Sequence, residues 1–299
     1  MSNYLVSAII TTHNRSSLLR RAIESVLNQT YKDIECIVVD DKSTDNTKDV
    51  CAEYPTVQYI YIPPEESKGG NYARNKGVKA AKGKYIAFLD DDDYWYPSKT
   101  DKQIELMEEK RCEFVYCGKK KETVLNNTIT YYDDLPNPSF YGDMKKKILL
   151  TICCCTTSTI MMSKKAFIEI GLFDENLAFW QDYELTIRMA QRGPFYFNNE
   201  PLCVYRVNPT DRQRLTNKYY GWKKAVDYIH RKHHNLYAKL SLREKVYVNY
   251  LIWNDAYYNR CKPAGLKWKC IYYRLLIFLF HSIPKRIKLL LARFLRFEQ

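Results

Sequence analysis

No segment of this 299-residue sequence is apolar for long enough to cross a bilayer. The longest candidate run, Leu275 to Phe280, has six residues, against the ~20 that a spanning helix needs. A basic n-region and a small-residue cleavage site are also missing. Met1-Ser-Asn-Tyr runs straight into a strand-like segment, so the expectation is a chain that is not exported and works in the cytoplasm. Cysteine is plentiful at ten, yet no CxxC pair occurs. Cys153, Cys154 and Cys155 are consecutive and cannot all face one metal. That argues against a zinc site. Without export it also argues against a disulfide framework, and free thiols are expected. Glycine is scarce at 10 residues, and there is no GxGxxG. The nearest approach to a Walker A loop, Gly77 to Lys84, has one residue too many between its glycines, and Tyr85 follows the lysine. A phosphate-bearing ligand must therefore be held by means other than a glycine-rich cradle.

What is present suits a large buried core, with 46% hydrophobic and 14% aromatic residues. The first 120 residues alternate in pattern. Val6–Thr12, Ile34–Val39, Val57–Ile62 and Lys84–Leu89 read as strands, and Arg15–Asn28, Thr44–Glu53 and Asn71–Ala81 as helices. Asn14 is placed to cap the first helix. This βαβαβαβ order implies an α/β fold with a mostly parallel sheet flanked by helices. Further on, Thr156–Met162 reads as a strand. Gln181–Gln191 reads as a helix stopped by Arg192-Gly193-Pro194. From Thr216 onward the pattern is helical throughout. We divide the chain into a domain over residues 1–210 and a helical region over 211–299.

In such a sheet, ligands bind beyond the carboxyl ends of the strands. Two of those ends are acidic, with Asp40-Asp41 after the second strand and Asp90-Asp91-Asp92-Asp93 after the fourth. Two unit charges ~4 Å apart repel by ~1 kcal/mol in water and ~4 at an effective dielectric of 20. The run is therefore either a solvated acidic loop or a cation site. An all-oxygen set favours Mg²⁺ or Mn²⁺. Lys68, Arg74 and the Gly69-Gly70 turn before a helix are candidates to hold a diphosphate, although Arg74 alone also fits an ordinary surface arginine. Asp182, at the start of its helix, either complements the helix N-terminus or serves as a general base.

Five segments then carry a resemblance: Val6-Ser-Ala-Ile-Ile-Thr-Thr-His-Asn-Arg, Val38-Val-Asp-Asp-Lys-Ser-Thr-Asp-Asn-Thr, Gly70-Asn-Tyr-Ala-Arg-Asn-Lys-Gly, Tyr85-Ile-Ala-Phe-Leu-Asp-Asp-Asp-Asp and Trp180-Gln-Asp-Tyr-Glu. In this order and spacing they resemble family 2 glycosyltransferases of the GT-A fold, over about residues 4 to 210. The resemblance implies that Thr11 and Asp41 hold the nucleoside, with Asp41 reading the base and Asp40 beside it. It places Asp90 and Asp92 on the DxD motif that binds a divalent metal bridging the donor's diphosphate, with Asp91 between them. Asp182 falls on the catalytic base. The implied reaction inverts the anomeric carbon of a nucleotide diphosphate-sugar and gives a β linkage. Uridine donors, as UDP-hexose or UDP-N-acetylhexosamine, are commonest in the family. The residue before the base is Gln181 where the family often has Glu. Tyr205-Arg-Val-Asn208 lacks the histidine some relatives carry. The Gln-x-x-Arg-Trp signature of processive synthases is missing, so one sugar per acceptor encounter is expected.

The formal net charge is +13. From Ala256 to Gln299 there are ten Lys/Arg and one acid, so +9 of the +13 lies there. On a helical wheel Pro284–Phe297 puts Ile287, Leu290, Leu291, Phe294, Leu295 and Phe297 on one side. Lys285, Arg286, Lys288, Arg293 and Arg296 fall on the other. The pattern fits a helix on an anionic membrane surface or one packed on the core. No nucleic-acid motif accompanies the charge. The expectation is a peripheral enzyme on the inner face of the plasma membrane. Its acceptor would be a sugar on a polyprenyl diphosphate, in O-antigen or capsule synthesis. Nucleotidyl transfer and a non-catalytic membrane-associated scaffold are the competing readings.

Overall fold

The computed structural model describes residues 4–126, 128–151, 155–209 and 218–282. The chain divides into two compact units, Met1–Lys145 with Cys153–Thr210, and Lys146–Ile152 with Asp211–Gln299.

The first unit is an α/β layer structure. Strand β1 (Val6–Thr12) is followed by helix α1 (Ser16–Leu27), β2 (Ile34–Asp41), α2 (Thr47–Ala52), β3 (Val57–Ile62), α3 (Gly70–Ala80) and β4 (Tyr85–Asp90). Next come β5 (Tyr94–Trp95), α4 (Lys99–Lys110), β6 (Phe114–Leu125), β7 (Thr128–Asp134), β8 (Ile160–Ser163), α5 (Lys164–Glu169), α6 (Gln181–Arg192) and β9 (Tyr196–Val207). The nine-stranded sheet has the order β3-β2-β1-β4-β8-β6-β9-β5, with β7 paired to β6 off that path. The first four strands are mutually parallel. Strand β8 then lies antiparallel between β4 and β6 and turns the sheet mixed. This is the GT-A-like architecture, an α/β fold with a mostly parallel sheet.

Strand β1 sits between β2 and β4, and Val6, Ala8, Ile9 and Ile10 are fully buried. A strand covered on both faces has no reason to alternate with polar residues. Helix α1 packs on the sheet through Leu19, Ala22, Ile23 and Val26. Helix α3 approaches so closely that a Cβ on Gly77 would lie 2.6 Å from Ile9 Cγ2 and 3.1 Å from Val39 Cγ2. The glycine that failed as a phosphate loop is thus a packing glycine. Register sets the site: Thr11 pairs with Val39 on one side and Asp90 on the other, and Thr12 pairs with Asp40. The acidic ends of β2 and β4 therefore finish level with one another.

Three local expectations change. Asn14 does not cap α1. It sits at φ 52° in the left-handed region, its N–H donates to Ser43 Oγ (2.8 Å), and its Oδ1 accepts from Thr44 N–H (2.7 Å). Asp45, from the loop after β2, receives the Ser16 N–H instead (3.0 Å). The same aspartate accepts from the Thr47 backbone (3.2 Å), so α2 starts at Thr47 rather than Thr44. The expected strand over Thr156–Met162 opens as a 3₁₀ turn, Thr157–Thr159, before β8 begins. Thr159 Oγ1 accepts the Thr156 N–H (3.1 Å) and donates to the Thr156 carbonyl (2.8 Å), which competes with the extended ladder.

The second unit is helical, as its pattern predicts. Helices α7 (Tyr219–Lys232), α8 (His234–Ala238) and α9 (Leu242–Asp255) are followed by a π-helical turn, Ala256–Cys261, and by α10 (Lys267–Ser282). Ser241 and Glu244 form a capping box on α9. The wheel over Pro284–Phe297 lies outside the described residues. Eight cysteines are described, and all are free thiols.

Candidate active site

The acid run after β4 alternates in burial. Asp90 and Asp92 are partly exposed, while Asp91 and Asp93 are buried. Burying carboxylates requires partners, because a desolvated charge without them costs several kcal/mol. Asp93 Oδ2 accepts from Ser158 Oγ (2.6 Å) and its Oδ1 from the Arg206 N–H (2.9 Å). Ser158 Oγ also accepts the Asp90 N–H (3.1 Å), and Ser158 O accepts from Trp95 Nε1 (2.8 Å). Burial, then the charges of Asp92 and Asp90, push the Asp93 carboxyl well above the usual carboxylate range. Asp91 is pushed up to about 7, chiefly by burial, against the opposing charge of Arg15.

Arg15 is the counter-ion of this turn. Its Nη1 lies 3.1 Å from Asp91 Oδ1 and 3.0 Å from Asp92 Oδ2. Arg21 adds a bond from Nη2 to the Asp92 carbonyl (3.0 Å). Neither arginine was among the residues singled out from sequence. Arg15 stood inside a quoted segment, but its partners lie 76 and 77 positions away, and no local pattern announces them.

Arg74 is no surface arginine. It is buried on α3, with Nη2 2.7 Å from Asp90 Oδ1 and Nη1 donating to Asn71 Oδ1 (3.2 Å). Its buried Nε has no hydrogen-bond partner among the described residues. Asp182 sits in the first turn of α6, and its Oδ1 accepts the Tyr183 N–H (2.8 Å). Burial raises its pKa first; the charge of Arg74 opposes this and that of Asp90 adds to it. Asp182, Arg74 and Asp90 are thus close enough to feel one another, although they come from α6, α3 and β4. Trp180, just ahead of α6, is left-handed at φ 54°. Glu184, one helical turn beyond Trp180, is fully buried and chelated by Arg188 (2.6–3.1 Å). Arg188 Nη1 also donates to the Ile170 carbonyl (2.6 Å), which ties the helix carrying Asp182 to the end of α5.

At the end of β2 the two aspartates differ. Asp40 is buried with both oxygens engaged internally, Oδ1 by the Ser43 N–H (2.9 Å) and Oδ2 by the Tyr59 hydroxyl (2.7 Å). Asp40 thus holds the turn that carries Asp41. Asp91, expected in the donor site as well, is buried with its carboxyl 3.1 Å from Arg15 Nη1. Asp41 keeps a buried Oδ1 without a partner among the described residues, and its carbonyl accepts from His13 Nδ1 (2.6 Å). Thr11 lies on β1 opposite Val39, two residues short of Asp41 along β2, and is half-buried. Lys68 is exposed in the loop before α3, with Nζ 5.3 Å from the Tyr72 ring centroid. No hydrogen bond or ion pair joins it to the acids among the described residues.

No group of three or more His, Cys, Asp or Glu is arranged to hold a metal by itself among the described residues. Asp90 and Asp92, the two accessible carboxylates, nevertheless form a hard, all-oxygen pair. Mg²⁺ or Mn²⁺ typically takes one or two carboxylates and completes its shell from phosphate and water oxygens. The residues fit that open kind of site and not a closed protein cage.

A mixed sheet whose parallel half ends in an orphan-bearing aspartate and an accessible carboxylate pair defines a GT-A-type protein. The profile of Glycosyl transferase family 2 matches residues 7–171. The chain belongs to that family. It is 46% identical over 112 residues to the Escherichia coli UDP-Glc:alpha-D-GlcNAc-diphosphoundecaprenol beta-1,3-glucosyltransferase WfaP, covering 38% of this chain and 45% of that protein. The match spans less than two thirds of the length of the curated relatives. Among solved structures, Staphylococcus aureus TarS 1-349 in complex with UDP-GlcNAc superposes with a TM-score of 0.61 at 16% identity, over 93% of this chain and 92% of that one. The mannosyltransferase PcManGT of Pyrobaculum calidifontis, in complex with GDP-Man and Mn²⁺, gives 0.59 at 15% identity, over 98% and 87%.

Proposed function

We propose that this chain is an inverting, non-processive glycosyltransferase that moves a hexose or N-acetylhexosamine from a UDP-sugar to a sugar on a polyprenyl diphosphate, forming a β linkage. One observation carries the reading: at the carboxyl end of β4 the buried Arg74 of α3 is paired with Asp90 at 2.7 Å, and Asp182 stands in the first turn of α6. The acceptor hydroxyl attacks the anomeric carbon from the side opposite the diphosphate. The new C–O bond forms as the bond to the phosphate oxygen breaks, and the electron pair leaves with the nucleoside diphosphate. Asp182 takes the hydroxyl proton as the new bond forms, and burial raises its pKa above the ordinary carboxylate value. Arg74 places a buried positive charge beside Asp90, facing the leaving diphosphate. The orphan Oδ1 of Asp41 is set to accept a hydrogen bond from the base, with Thr11 on the adjacent strand. Asp90 and Asp92 would hold Mn²⁺ or Mg²⁺, which as a Lewis acid stabilises the departing diphosphate.

The relative acting on diphosphoundecaprenol-linked sugar and the UDP-GlcNAc and Mn²⁺ complexes of structural neighbours support the acceptor class, the nucleotide and the ion in turn. We assign residues 1–210 to the transfer chemistry and 211–299 to a helical region that keeps the enzyme at the inner face of the plasma membrane. The test is a panel of nucleotide-sugars with Mn²⁺, scored for hydrolysis and for transfer to a synthetic lipid-diphosphate sugar. Transfer from one UDP-sugar is expected. Nucleotide incorporation into the acceptor, with no sugar moved, would replace this reading with nucleotidyl transfer.

A further inference from the structure

We infer that helix α10 lies in the interface of an anionic lipid bilayer through the face formed by Trp268, Ile271, Tyr272, Leu275, Phe278 and Leu279. The helix is two-sided in an inverted sense. Tyr273 is buried, with its hydroxyl 2.9 Å from that of Tyr219, and Phe280 stacks on Tyr250 at 4.1 Å between ring centroids. Those residues point into the second unit. On the other side, six large apolar residues at helical spacing are all exposed, from 44% for Leu279 to 84% for Trp268. They occupy an arc of about 120° when successive residues are placed 100° apart. Scattered exposed apolar residues are ordinary, but a contiguous stripe marks an interaction surface.

Charge selects the occupant. Helix α10 contains no Asp or Glu. On the same wheel the exposed Lys267 and Arg274 border one edge of the stripe, while Lys269 lies toward the second unit with Nζ 4.8 Å from the Tyr219 ring centroid. Long basic side chains at the edges of an apolar face keep their stems against hydrocarbon and their heads at lipid phosphates. The sequence beyond the helix continues the sign, with Lys285, Arg286, Lys288, Arg293 and Arg296 against Glu298 alone. A second copy of this chain would bring the same positive charge to the contact and repel it. Trp268 and Tyr272 are residue types that favour the water–hydrocarbon boundary. The 16 described residues of α10 span about 24 Å, short of the ~30 Å hydrocarbon core. No described helix is long and apolar enough to cross a membrane. The helix therefore lies on the bilayer.

This inference extends the proposed reading of a lipid-carried acceptor, but its test does not pass through transfer. The full-length chain is mixed with vesicles of phosphatidylcholine containing phosphatidylglycerol, and with vesicles of phosphatidylcholine alone, and bound protein is separated by flotation. Wild type is expected to float with the anionic vesicles. The variant Trp268→Ser/Leu275→Ser/Phe278→Ser is expected to bind at least tenfold more weakly, with its melting temperature and UDP binding unchanged. Equal flotation of variant and wild type, or no flotation of wild type, would overturn the inference. So would a lipid-free dimer lost in the variant while vesicle binding persists, which assigns the face to a second copy. A variant that melts several degrees lower yet still binds vesicles would assign it to the chain's own residues 283–299. A soluble disaccharide acceptor, processed equally by variant and wild type, separates failure of this inference from failure of the transferase reading.

Discussion

At the carboxyl end of β4 two carboxylates, Asp91 and Asp93, are buried, whereas along α10 six large apolar side chains are exposed. Both regions invert the ordinary rule of burial, and they differ in how the inversion is answered. The acids are answered from within, by Arg15, by the Ser158 hydroxyl and by the Arg206 N–H. Those bonds fix the turn, so Asp90 and Asp92 are held in place before any ligand arrives. The apolar stripe has no such internal answer, and at ~25 cal/mol per Å² its exposure is a standing incentive to associate. The first region is fixed from within, and the second is left open to a partner.

The contrast can be broken at several points. The largest effect expected is on the site: removing divalent metal with a chelator should lower transfer by roughly 100-fold or more, and added Mn²⁺ should restore it. Activity that survives chelation would leave Asp90 and Asp92 without their proposed role. Next, Asp93→Ala strands the buried Ser158 hydroxyl and Arg206 N–H, at a cost of ~1–3 kcal/mol for each unsatisfied group. Urea unfolding should show that loss, whereas Leu275→Ser on α10 should stay within about 0.5 kcal/mol of wild type. Equal losses would erase the distinction between an answered and an unanswered region. Within the helical unit, Ser241→Ala removes the α9 capping box and should cost about 1 kcal/mol.

A separate, pH-dependent effect concerns His230, whose pKa burial lowers to about 4, with Asp227 opposing. A base held neutral in the fold but free to protonate when unfolded, near its ordinary ~6.5, binds more protons unfolded between those values. Its contribution is complete above ~6.5 and is lost as pH falls toward 4. Replacing it with Gln should flatten that part of the stability–pH curve.

The fold was readable where a physical period governs it. The first four strands and three crossovers followed from apolar runs broken by helical spacing, and the acids at the strand ends followed from where those runs stop. Contacts that join distant segments were not readable. Asp45 capping α1, Arg15 bridging two aspartates and Ser158 serving Asp93 depend on register across the sheet, which no local pattern encodes. Asp40 and Asp41 look alike in sequence, yet successive side chains of a strand face opposite ways. One is therefore sealed by Tyr59 and Ser43, while the other keeps a free oxygen. Leu275–Phe280 was visible as an apolar run, but which of its residues face outward depends on Tyr219 and Tyr250, which take Tyr273 and Phe280.

The most direct test of the central claim is Asp182→Asn, assayed with the UDP-sugar that wild type accepts, Mn²⁺ and a lipid-diphosphate sugar acceptor. The substitution keeps the side-chain shape and the bond from the Tyr183 N–H but removes the base. Wild type should release a β-linked product. The variant should bind the donor normally and transfer roughly 100- to 10,000-fold more slowly. Wild-type turnover by the variant would contradict the account.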